Sequence, residues 1–377
     1  MPGFPQGLQP ASWMGDLVSK KLDPELAKKI PVTWFIFPGS HDAATYKDGL
    51  ADFSYQCQEK NLYEQMMTGN RSFDLRLAPG KDERHFIAVH GVAKNTGDDF
   101  SEDAKEAKPN HLAKQIMKFA REHPPEIVII KIRFENLKDP ALRKLWADTA
   151  WHFLGERLLE SPSKDEPNPS YSHAVESNRN VILATGTPVP DGHPMEKYVW
   201  SVGSNTKNWL GENNEMLWNE PTWQSGEIKK VLQSTEEYMN KNQDKLKERN
   251  KFWVAQLQLT PVLGQNITTF FKQGGSVRPK DLALGGGMGT HGKFDGSNQE
   301  LRKSGILRKS LWKKHASCIH YDFCDKDTTG DIVAMNLPGG DDDDDGPGEG
   351  GAGRGAGRGG RGGGDGPHRG GRGRGHD

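Results

Sequence analysis

The chain has 377 residues, and its 50 Lys and Arg against 51 Asp and Glu give a formal net charge of -1 and a pI near 6.9. A balance so close to neutral excludes a global electrostatic attraction to nucleic acid or anionic membrane, although a local patch can still bind one. The length allows two domains, or one large α/β barrel of about 250 residues or more.

Along the chain the composition defines three segments. Residues 1–30 are predicted to form a weakly attached N-terminal arm, and residues 31–338 one folded body. From Gly339 onward, a run of five aspartates precedes a glycine and arginine tract that contains almost no apolar residue. Such a tract cannot bury enough surface to offset the entropy of ordering it, so residues 339–377 are predicted to be a disordered tail.

Within the body, short apolar runs alternate with longer helical patterns, which is typical of strand and crossover-helix units. Eight such strands predict an α/β fold with one closed parallel barrel. The predicted strands are residues 33–37, 72–77, 86–90, 127–133, 181–185, 198–202, 252–259 and 318–323. The predicted helices are residues 59–68, 111–122, 140–159 and 226–249.

Polar side chains stand at the ends of several predicted strands. In a barrel of this type the active site is built from residues at the carboxyl ends of the strands, far apart in sequence. If the barrel closes, the last strand lies beside the first. The candidate residues are His41 and Asp42, Asp74 and Arg76, His90, Lys131 with Arg133 and Glu135, and Asp322.

These residue types indicate cleavage of a phosphodiester. Two facing histidines can take a proton from a nucleophile and give one to a leaving group, since their pKa lies near working pH. A guanidinium between them can hold a phosphate and stabilise the charge that develops on it. A carboxylate behind one histidine would fix its tautomer.

Four ordered motifs carry a resemblance to a known family. They are Phe37-Pro38-Gly39-Ser40-His41-Asp42, Phe73-Asp74-Leu75-Arg76, Val89-His90-Gly91 and Ile319-His320-Tyr321-Asp322-Phe323. Together they resemble the X domain of phosphatidylinositol-specific phospholipase C, and most closely its single-domain bacterial and X-domain-containing eukaryotic forms. Gln256-Leu257-Gln258-Leu259-Thr260-Pro261 is similar to a stretch of the eukaryotic forms.

The resemblance implies a distorted TIM barrel that cleaves a phosphoinositide to diacylglycerol and a cyclic inositol phosphate, which water can open. It implies that His41 is the general base and His90 the general acid. It further implies that Arg76 binds the phosphate, that Asp322 orients His41, and that Asp42 assists Arg76 on the leaving-group side. The implied partner is a phospholipid at a membrane surface.

The resemblance also bears on metal use and on the headgroup. Calcium-dependent members carry a carboxylate at the position of Arg76 and an asparagine at that of Asp42, so the chain is expected to need no metal and no other cofactor. Weak attraction of an ion by Asp74, Glu135 and Asp42 stays open. The predicted substrate-binding residues are Asp74, Arg133 and Glu135, whereas residues 181–186 lack the arginine with which bacterial members bind the inositol ring.

Several residues also have structural interpretations. Asp74 and Arg76 could form an ion pair across the barrel mouth. His320 and His85 are expected to be structural, and Lys131 to point toward the helices. The tryptophans in segment 200–223, Trp209, Trp218 and Trp223 among them, could touch a membrane, although packing over the barrel mouth is favoured.

The remaining expectations concern the compartment, the tail and a second function. Three scattered cysteines, Cys57, Cys318 and Cys324, predict buried thiols in a reducing compartment. With no signal peptide and no stretch of roughly 20 apolar residues, a cytoplasmic protein with at most peripheral membrane contact is expected. A solubilising or autoinhibitory role of the tail is favoured over nucleic-acid binding, and weak contact of the tail with RNA or protein stays open. The alternative function is a catalytically weak X-domain protein that binds a lipid or a partner.

Overall fold

The computed structural model describes a set of residue ranges from 3 to 338. It thereby covers most of the predicted body and all but the first two residues of the predicted arm. The predicted tail, residues 339–377, lies outside the described residues, so its disorder stays a prediction. The described ranges are 3–46, 56–81, 83–90, 93–94, 100–101, 111–135, 137–163, 166–202, 217–219, 228–246, 251–258, 283–289, 292–295 and 297–338.

The strands form one large sheet and a small hairpin. In the large sheet the order β8-β7-β6-β2-β1-β13-β10-β9 pairs every neighbour in parallel, while β3, β4 and β5 lie off this path. The strands are β1 Phe37–Ser40, β2 Ser72–Pro79, β3 His85–His90, β4 Ala93–Lys94, β5 Phe100–Ser101, β6 Val128–Phe134, β7 Val181–Thr185, β8 Val199–Ser201, β9 Leu217–Asn219, β10 Phe252–Gln256, β11 Gly285–Gly289, β12 Gly292–Asp295 and β13 Cys318–Tyr321.

This curled parallel sheet confirms the predicted fold class, a distorted TIM barrel. Within the described residues, its two end strands, β8 and β9, are not paired with each other, so the barrel is open there. As predicted, the last strand lies beside the first: β13 pairs with β1, and His320 is in register with Gly39.

Two strand predictions are corrected. Residues 86–90 do form a strand, β3, but it pairs antiparallel to β2 and is therefore no member of the parallel barrel. Its place among the parallel strands is taken by β9, a three-residue strand around Trp218 that is not among the predicted strands. Apolar patterning detects a buried strand, but the direction of pairing depends on where the rest of the chain runs.

Helices and 3₁₀ turns connect the strands. None of the described helices has both the length and the apolar character needed to cross a membrane. The helices are α1 Trp13–Lys21, α2 Pro24–Ala27, α3 Leu62–Met67, α4 Leu112–Glu122, α5 Pro140–Leu154, α6 Tyr171–Glu176, α7 Ile228–Lys241, α8 Gln243–Leu246, α9 Ser297–Lys303, α10 Ser310–His315 and α11 Lys326–Ala334, and the 3₁₀ turns are Pro10–Ser12, Val32–Trp34, Glu196–Tyr198 and Ile306–Arg308.

Local chemistry explains where the best-defined helices begin. Asn61 accepts a hydrogen bond from the backbone N–H of Glu64, whose side chain accepts one from Asn61, so α3 starts with a capping box. Asp139 caps α5, and Pro140 occupies its first position, where a missing N–H costs nothing. These signals set the residues at which the two helices begin.

Alternation along the strands sorts side chains between the barrel interior and the helices. Outward residues such as Phe73, Leu75 and Ile130 pack in one apolar cluster with the surrounding helices. Inward residues form layers: an apolar floor at the amino ends of the strands, then a polar middle layer, then the mouth. The floor contains Phe37, Ile129, Ile182, Trp200, Val254 and Cys318; the middle layer Ser72, Asp74, Lys131, Gln256 and His320; the mouth His41, Arg76, Arg133 and Asp322.

The N-terminal segment is not weakly attached, which corrects the expectation of a loose arm. Trp13 and Leu17 are completely buried in the cluster that includes the barrel floor. The indole N–H of Trp13 donates to the carbonyl oxygen of Gly69 at 2.9 Å. Backbone N–H groups of Met14 and Gly15 donate to the buried carboxylate of Glu126. The short apolar run around Trp13 is therefore packed in one cluster with the barrel floor, and we call it the N-terminal plug.

The first strand begins later than predicted, because Val32–Trp34 is a 3₁₀ turn and β1 starts at Phe37. Gly39 therefore lies inside the strand instead of in a turn after it. A Cβ at Gly39 would lie 2.7 Å from Nε2 of His320 and 2.9 Å from the carbonyl oxygen of Ser72. Only glycine, which has no Cβ, leaves room for the His320 ring beside β1 at this position.

Candidate active site

The mouth of the barrel brings together all five residues predicted to act in catalysis. His41 and Asp42 directly follow β1, Arg76 projects from β2, His90 ends β3, and Asp322 directly follows β13. β1 is paired with both β2 and β13, so the residues that these three strands carry meet at one edge of the sheet. β3 reaches the same edge by folding back antiparallel onto β2.

His41 is held between a carboxylate and a guanidinium. Its Nδ1 lies 2.8 Å from Oδ1 of Asp322, and its Nε2 lies 3.1 Å from Nη2 of Arg76. Because an arginine nitrogen can only donate, Nε2 must accept, which places the ring proton on Nδ1 facing Asp322. The neutral imidazole thus presents a lone pair at Nε2, the form that a general base requires.

Asp42 is the buried centre of the site, with a side chain that is 0% exposed. Its Oδ1 lies 2.5 Å from Nε of Arg76, while Oδ2 lies 3.2 Å from Nε2 of His90 and 3.5 Å from Nε2 of His41. The contact with Arg76 is an ion pair, and those with the histidines become ion pairs when the rings are protonated; none has the geometry of a well-aligned hydrogen bond. One carboxylate therefore joins the guanidinium to both imidazoles.

The backbone of Asp42 is strained, with φ at +40°. Left-handed backbone costs energy in a residue that has a Cβ and persists where surrounding contacts impose it. Those contacts are present: the N–H and the hydroxyl of Thr45 both donate to the Asp42 carbonyl, and Ala43 N–H donates to the carbonyl of Asp74. The turn thereby directs the His41 and Asp42 side chains into the same mouth.

The two histidines face each other across this centre. Their ring centroids are 6.2 Å apart and the rings are nearly perpendicular, at 88°. His41 is almost buried, with 7% of its side chain exposed, whereas His90 and Arg76 are 23% and 21% exposed. Solvent and a ligand can therefore reach the site from the side of His90 and Arg76.

The electrostatic environment of His41 differs from that of the groups beneath it. Burial lowers the pKa of His41, but the negative charges of Asp42 and Asp322 outweigh it, so the pKa is raised overall. Burial and the neighbouring Lys131 cation lower the pKa of His320 to about 3, so this histidine is neutral at working pH. Its Nε2 lies 2.7 Å from Oγ of Ser72. His320 therefore belongs to the middle layer rather than to acid-base chemistry.

The three predicted substrate-binding residues occupy two different environments. Arg133 is exposed at the mouth, in register with Arg76, and Glu135 follows it at the end of β6. Asp74 is buried in the middle layer, 2.9 Å from Nζ of Lys131. That ion pair corrects the expectation that Lys131 points toward the helices, and it holds the pKa of Asp74 well below its usual range despite burial.

Two residues that the sequence did not single out for the site contact its members. Gln58 donates from Nε2 to the carbonyl oxygens of His41 and Tyr321, and its Oε1 accepts from the N–H of Cys324. It therefore ties β1 to β13 directly behind the turn that carries His41 and Asp42. Cys57 has its Sγ 3.6 Å from Nδ1 of His90. Neither residue stands at a strand end, so no positional signal identified it.

A metal fits this arrangement poorly. His41, Asp42 and Cys57 each offer a ligand atom, and these atoms lie within 4.8 Å of one another. The same space is bordered by the Arg76 guanidinium, which contacts both His41 and Asp42. Burial and the carboxylates of Asp322 and Asp42 raise the pKa of Cys57 well above its usual value, so it does not supply a thiolate. A fixed cation thus stands where a metal ion would bind.

Of the other features singled out in the sequence, Cys57, Cys318 and Cys324 are all buried and in no disulfide. Trp200 packs in the floor cluster. Trp209 and Trp223 lie outside the described residues, as do the arginines of the tail, so their roles stay predictions.

The fold is similar to that of bacterial phosphatidylinositol-specific phospholipases C. The Staphylococcus aureus protein has 18% sequence identity over an alignment that covers 87% of this chain and 98% of that one, with a TM-score of 0.56. The Listeria monocytogenes protein has 14% identity, coverage of 87% and 99%, and a TM-score of 0.57. At these identities the likeness establishes the fold alone, and neither a protein-family model nor a curated protein matches the sequence.

Proposed function

We propose that this chain is a phosphodiesterase of the phosphatidylinositol-specific phospholipase C type, of the X-domain family, which cleaves a phosphoinositide without a metal. The observation that carries the proposal is the chain of contacts Asp322–His41–Arg76–Asp42–His90, in which two imidazoles flank one guanidinium. Phosphoryl transfer needs a base, an acid and a positive group for the equatorial oxygens, and we assign these roles to His41, His90 and Arg76.

In the first step His41 acts as the base. Nε2 takes the proton from the inositol 2-hydroxyl, whose oxygen attacks the phosphorus, and the resulting imidazolium is stabilised by Asp322 on Nδ1. A bound phosphate attracts the guanidinium of Arg76, which can turn its Nη atoms from His41 to the phosphate oxygens while Nε stays on Asp42.

His90 completes the step as the acid. Its proton goes to the glycerol oxygen as the P–O bond breaks, giving diacylglycerol and a 1,2-cyclic inositol phosphate. Asp42 lies 3.2 Å from Nε2 of His90 and links this proton to Arg76. The reverse roles open the cyclic product: neutral His90 takes a proton from water, and protonated His41 returns one to the 2-oxygen.

The proposed substrate is a phospholipid at a membrane surface, met by a cytoplasmic protein that binds the membrane peripherally. Arg133 and Glu135 at the mouth are placed to contact the hydroxyl groups of the ring, with Asp74 and Lys131 beneath them. Thr185 ends β7 without a guanidinium, so the ring is held from β6 rather than from β7.

Release of water-soluble inositol phosphate from phosphatidylinositol vesicles tests the proposal. His41→Ala and His90→Ala should each lower the rate by about 10² to 10⁴-fold, the usual contribution of one acid or base. His173→Ala, which removes an exposed histidine of α6, is the matched control and should keep wild-type activity. Equal release from wild type and His41→Ala would reject the mechanism. Vesicle binding with no release from wild type would favour the catalytically weak binding protein instead.

The metal-free character has its own test. Assays in excess EDTA and in added Ca²⁺ should give the same rate, because Arg76 supplies the positive charge at the phosphate. A rate that falls in EDTA and recovers with Ca²⁺ would contradict this part of the proposal.

A further inference from the structure

The two histidines share one carboxylate but differ in the partner of their other nitrogen. Both Nε2 atoms face Oδ2 of Asp42, at 3.5 Å for His41 and 3.2 Å for His90. On the opposite side of the rings, Nδ1 of His41 faces the carboxylate of Asp322 at 2.8 Å, whereas Nδ1 of His90 faces the thiol of Cys57 at 3.6 Å. The two rings thus have different groups behind them, a carboxylate for His41 and a thiol for His90.

The backbone fixes the position of the Cys57 thiol. Its N–H donates to the carbonyl and the hydroxyl oxygen of Thr45, and its carbonyl accepts from the N–H of Phe323 at 2.7 Å. Thr45 belongs to the turn that holds Asp42, and Phe323 follows Asp322. Cys57 is also buried, with 6% of the residue exposed. The thiol is therefore anchored to the same two segments that carry the carboxylates of the site.

A thiol and a carboxylate act differently on an imidazole. Burial and two nearby carboxylates raise the pKa of Cys57, which keeps the sulfur protonated. A ring that gives its Nε2 proton to the leaving group keeps a proton on Nδ1, and a thiol sulfur accepts a hydrogen bond from that N–H only weakly. Asp322 instead accepts strongly from a charged ring. The partner of His41 thus stabilises the protonated ring strongly, whereas the partner of His90 stabilises it only weakly, so the charged His90 ring gives up its Nε2 proton more readily.

We propose that Cys57 is a positioning residue that makes His90 the proton donor of the pair, by holding its ring with Nδ1 on the thiol and Nε2 toward the leaving group. This inference rests on the proposed phosphodiesterase activity. The direction of proton transfer then depends on the groups behind the two rings, a carboxylate behind the base and a thiol behind the acid, and not on the histidines alone.

The dependence of the rate on the leaving group tests this role. Cleavage of phosphatidylinositol expels an alkoxide, which needs an acid, whereas a 4-nitrophenyl ester of inositol phosphate expels a stable phenolate, which does not. Cys57→Ala should lower kcat about tenfold on phosphatidylinositol, the order of one hydrogen bond, and should leave kcat on the nitrophenyl ester unchanged. Cys57→Ser, which keeps a polar acceptor for the Nδ1–H of His90 at this place, should recover most of the loss.

His90→Ala and Cys318→Ala complete the comparison. His90→Ala should show the same selectivity for the alkoxide, but with a larger loss. Cys318→Ala removes an equally buried thiol from the barrel floor and should affect neither substrate. Equal losses by Cys57→Ala on both substrates, or no loss on either, would overturn the positioning role. If His41→Ala were as active as wild type on both substrates, the proposed function itself would fail, so the two failures are distinguishable.

Discussion

Arg76 and Asp42 form an ion pair in which only one partner meets solvent. Nε of Arg76 lies 2.5 Å from Oδ1 of Asp42; the carboxylate is 0% exposed and the guanidinium side chain 21%. Negative charge on Asp42 and then on Asp74 raises the pKa of Arg76 although burial lowers it. The inner edge of the guanidinium is thus committed to Asp42, while its Nη edge faces His41 and the open mouth.

Replacing Arg76 by lysine tests whether the guanidinium contacts Asp42 and the phosphate at the same time. A lysine ammonium is a single point of charge, so it cannot keep Asp42 and also clamp two phosphate oxygens. We expect Arg76→Lys to lower kcat on phosphatidylinositol vesicles about 10² to 10³-fold, the loss typical of one oxyanion donor. Arg121→Lys changes an exposed arginine far from the mouth and serves as the control. Wild-type turnover in Arg76→Lys would rule out phosphate binding by this residue.

The Asp322 carboxylate should set the pH at which His41 becomes a base. Because Asp322 is one of the charges that raise the pKa of His41, Asp322→Asn should lower that pKa. The acidic limb of the kcat/KM profile should then move to lower pH, while the maximal rate falls because the ring is oriented less well. A pH–rate series from pH 5 to 9 measures both effects. An acidic limb that stays in place would show that another group controls it.

The same contact predicts a pH dependence of stability. Since the pKa of His41 is raised in the folded protein, its contribution to stability is fully present below the unfolded value of about 6.5 and is lost as pH rises through the folded pKa. The difference in free energy of unfolding between wild type and Asp322→Asn should therefore be larger at pH 6 than at pH 9. Urea titrations at the two pH values would show it, and a difference that grows with pH would contradict the assignment.

The sequence predicted the fold class because buried parallel strands leave continuous apolar runs, as at Val128–Phe134 and Val181–Thr185. It misjudged the strands whose role depends on distant pairing. β3 has the pattern of a barrel strand but folds back on β2, and β9 is only three residues long. The N-terminal segment also has too few apolar residues for the sequence alone to indicate that Trp13 and Leu17 are buried.

At the site, sequence reasoning found the residues that project from strand ends, since register alone brings His41, Arg76 and Asp322 together. Gln58 and Cys57 follow no such rule. Their positions depend on hydrogen bonds to the backbone of His41, Thr45 and Phe323, which come from three separate segments. Lys131 and Arg133 are polar residues in alternate positions of one strand. The sequence therefore did not decide which face of that strand points into the barrel, and the predicted direction of Lys131 was wrong.

Gly39→Ala should be strongly destabilising. The new methyl would lie 2.7 Å from Nε2 of His320 and 2.9 Å from the Ser72 carbonyl oxygen, and the backbone oxygen cannot move aside cheaply. We expect a loss of about 3 kcal/mol in free energy of unfolding, at the upper end for overpacking in a core. Gly186→Ala is the matched control, since its methyl would meet only the carbonyl oxygen of Val202, at 3.4 Å. Similar midpoints in urea for the two variants would mean that β1 can shift away from His320.

The ion pair between Arg71 and Glu126 should be the main electrostatic anchor of the N-terminal plug. Both side chains are 0% exposed, Nη2 of Arg71 lies 2.8 Å from Oε2 of Glu126, and the other carboxylate oxygen accepts from Gly15 N–H. Glu126→Gln leaves the guanidinium buried without a counter-charge and should cost about 3 kcal/mol, the usual result of breaking a buried pair.

Two further variants separate this cost from the value of the pair itself. Removing both charges, in Glu126→Leu with Arg71→Met, should cost less than Glu126→Gln alone, because no unpaired charge then stays buried. Glu156→Gln, in the exposed pair with Arg121, should cost less than about 1 kcal/mol. Urea unfolding followed by tryptophan fluorescence gives all three free energies. If Glu126→Gln cost no more than Glu156→Gln, the N-terminal segment would be held by apolar packing alone.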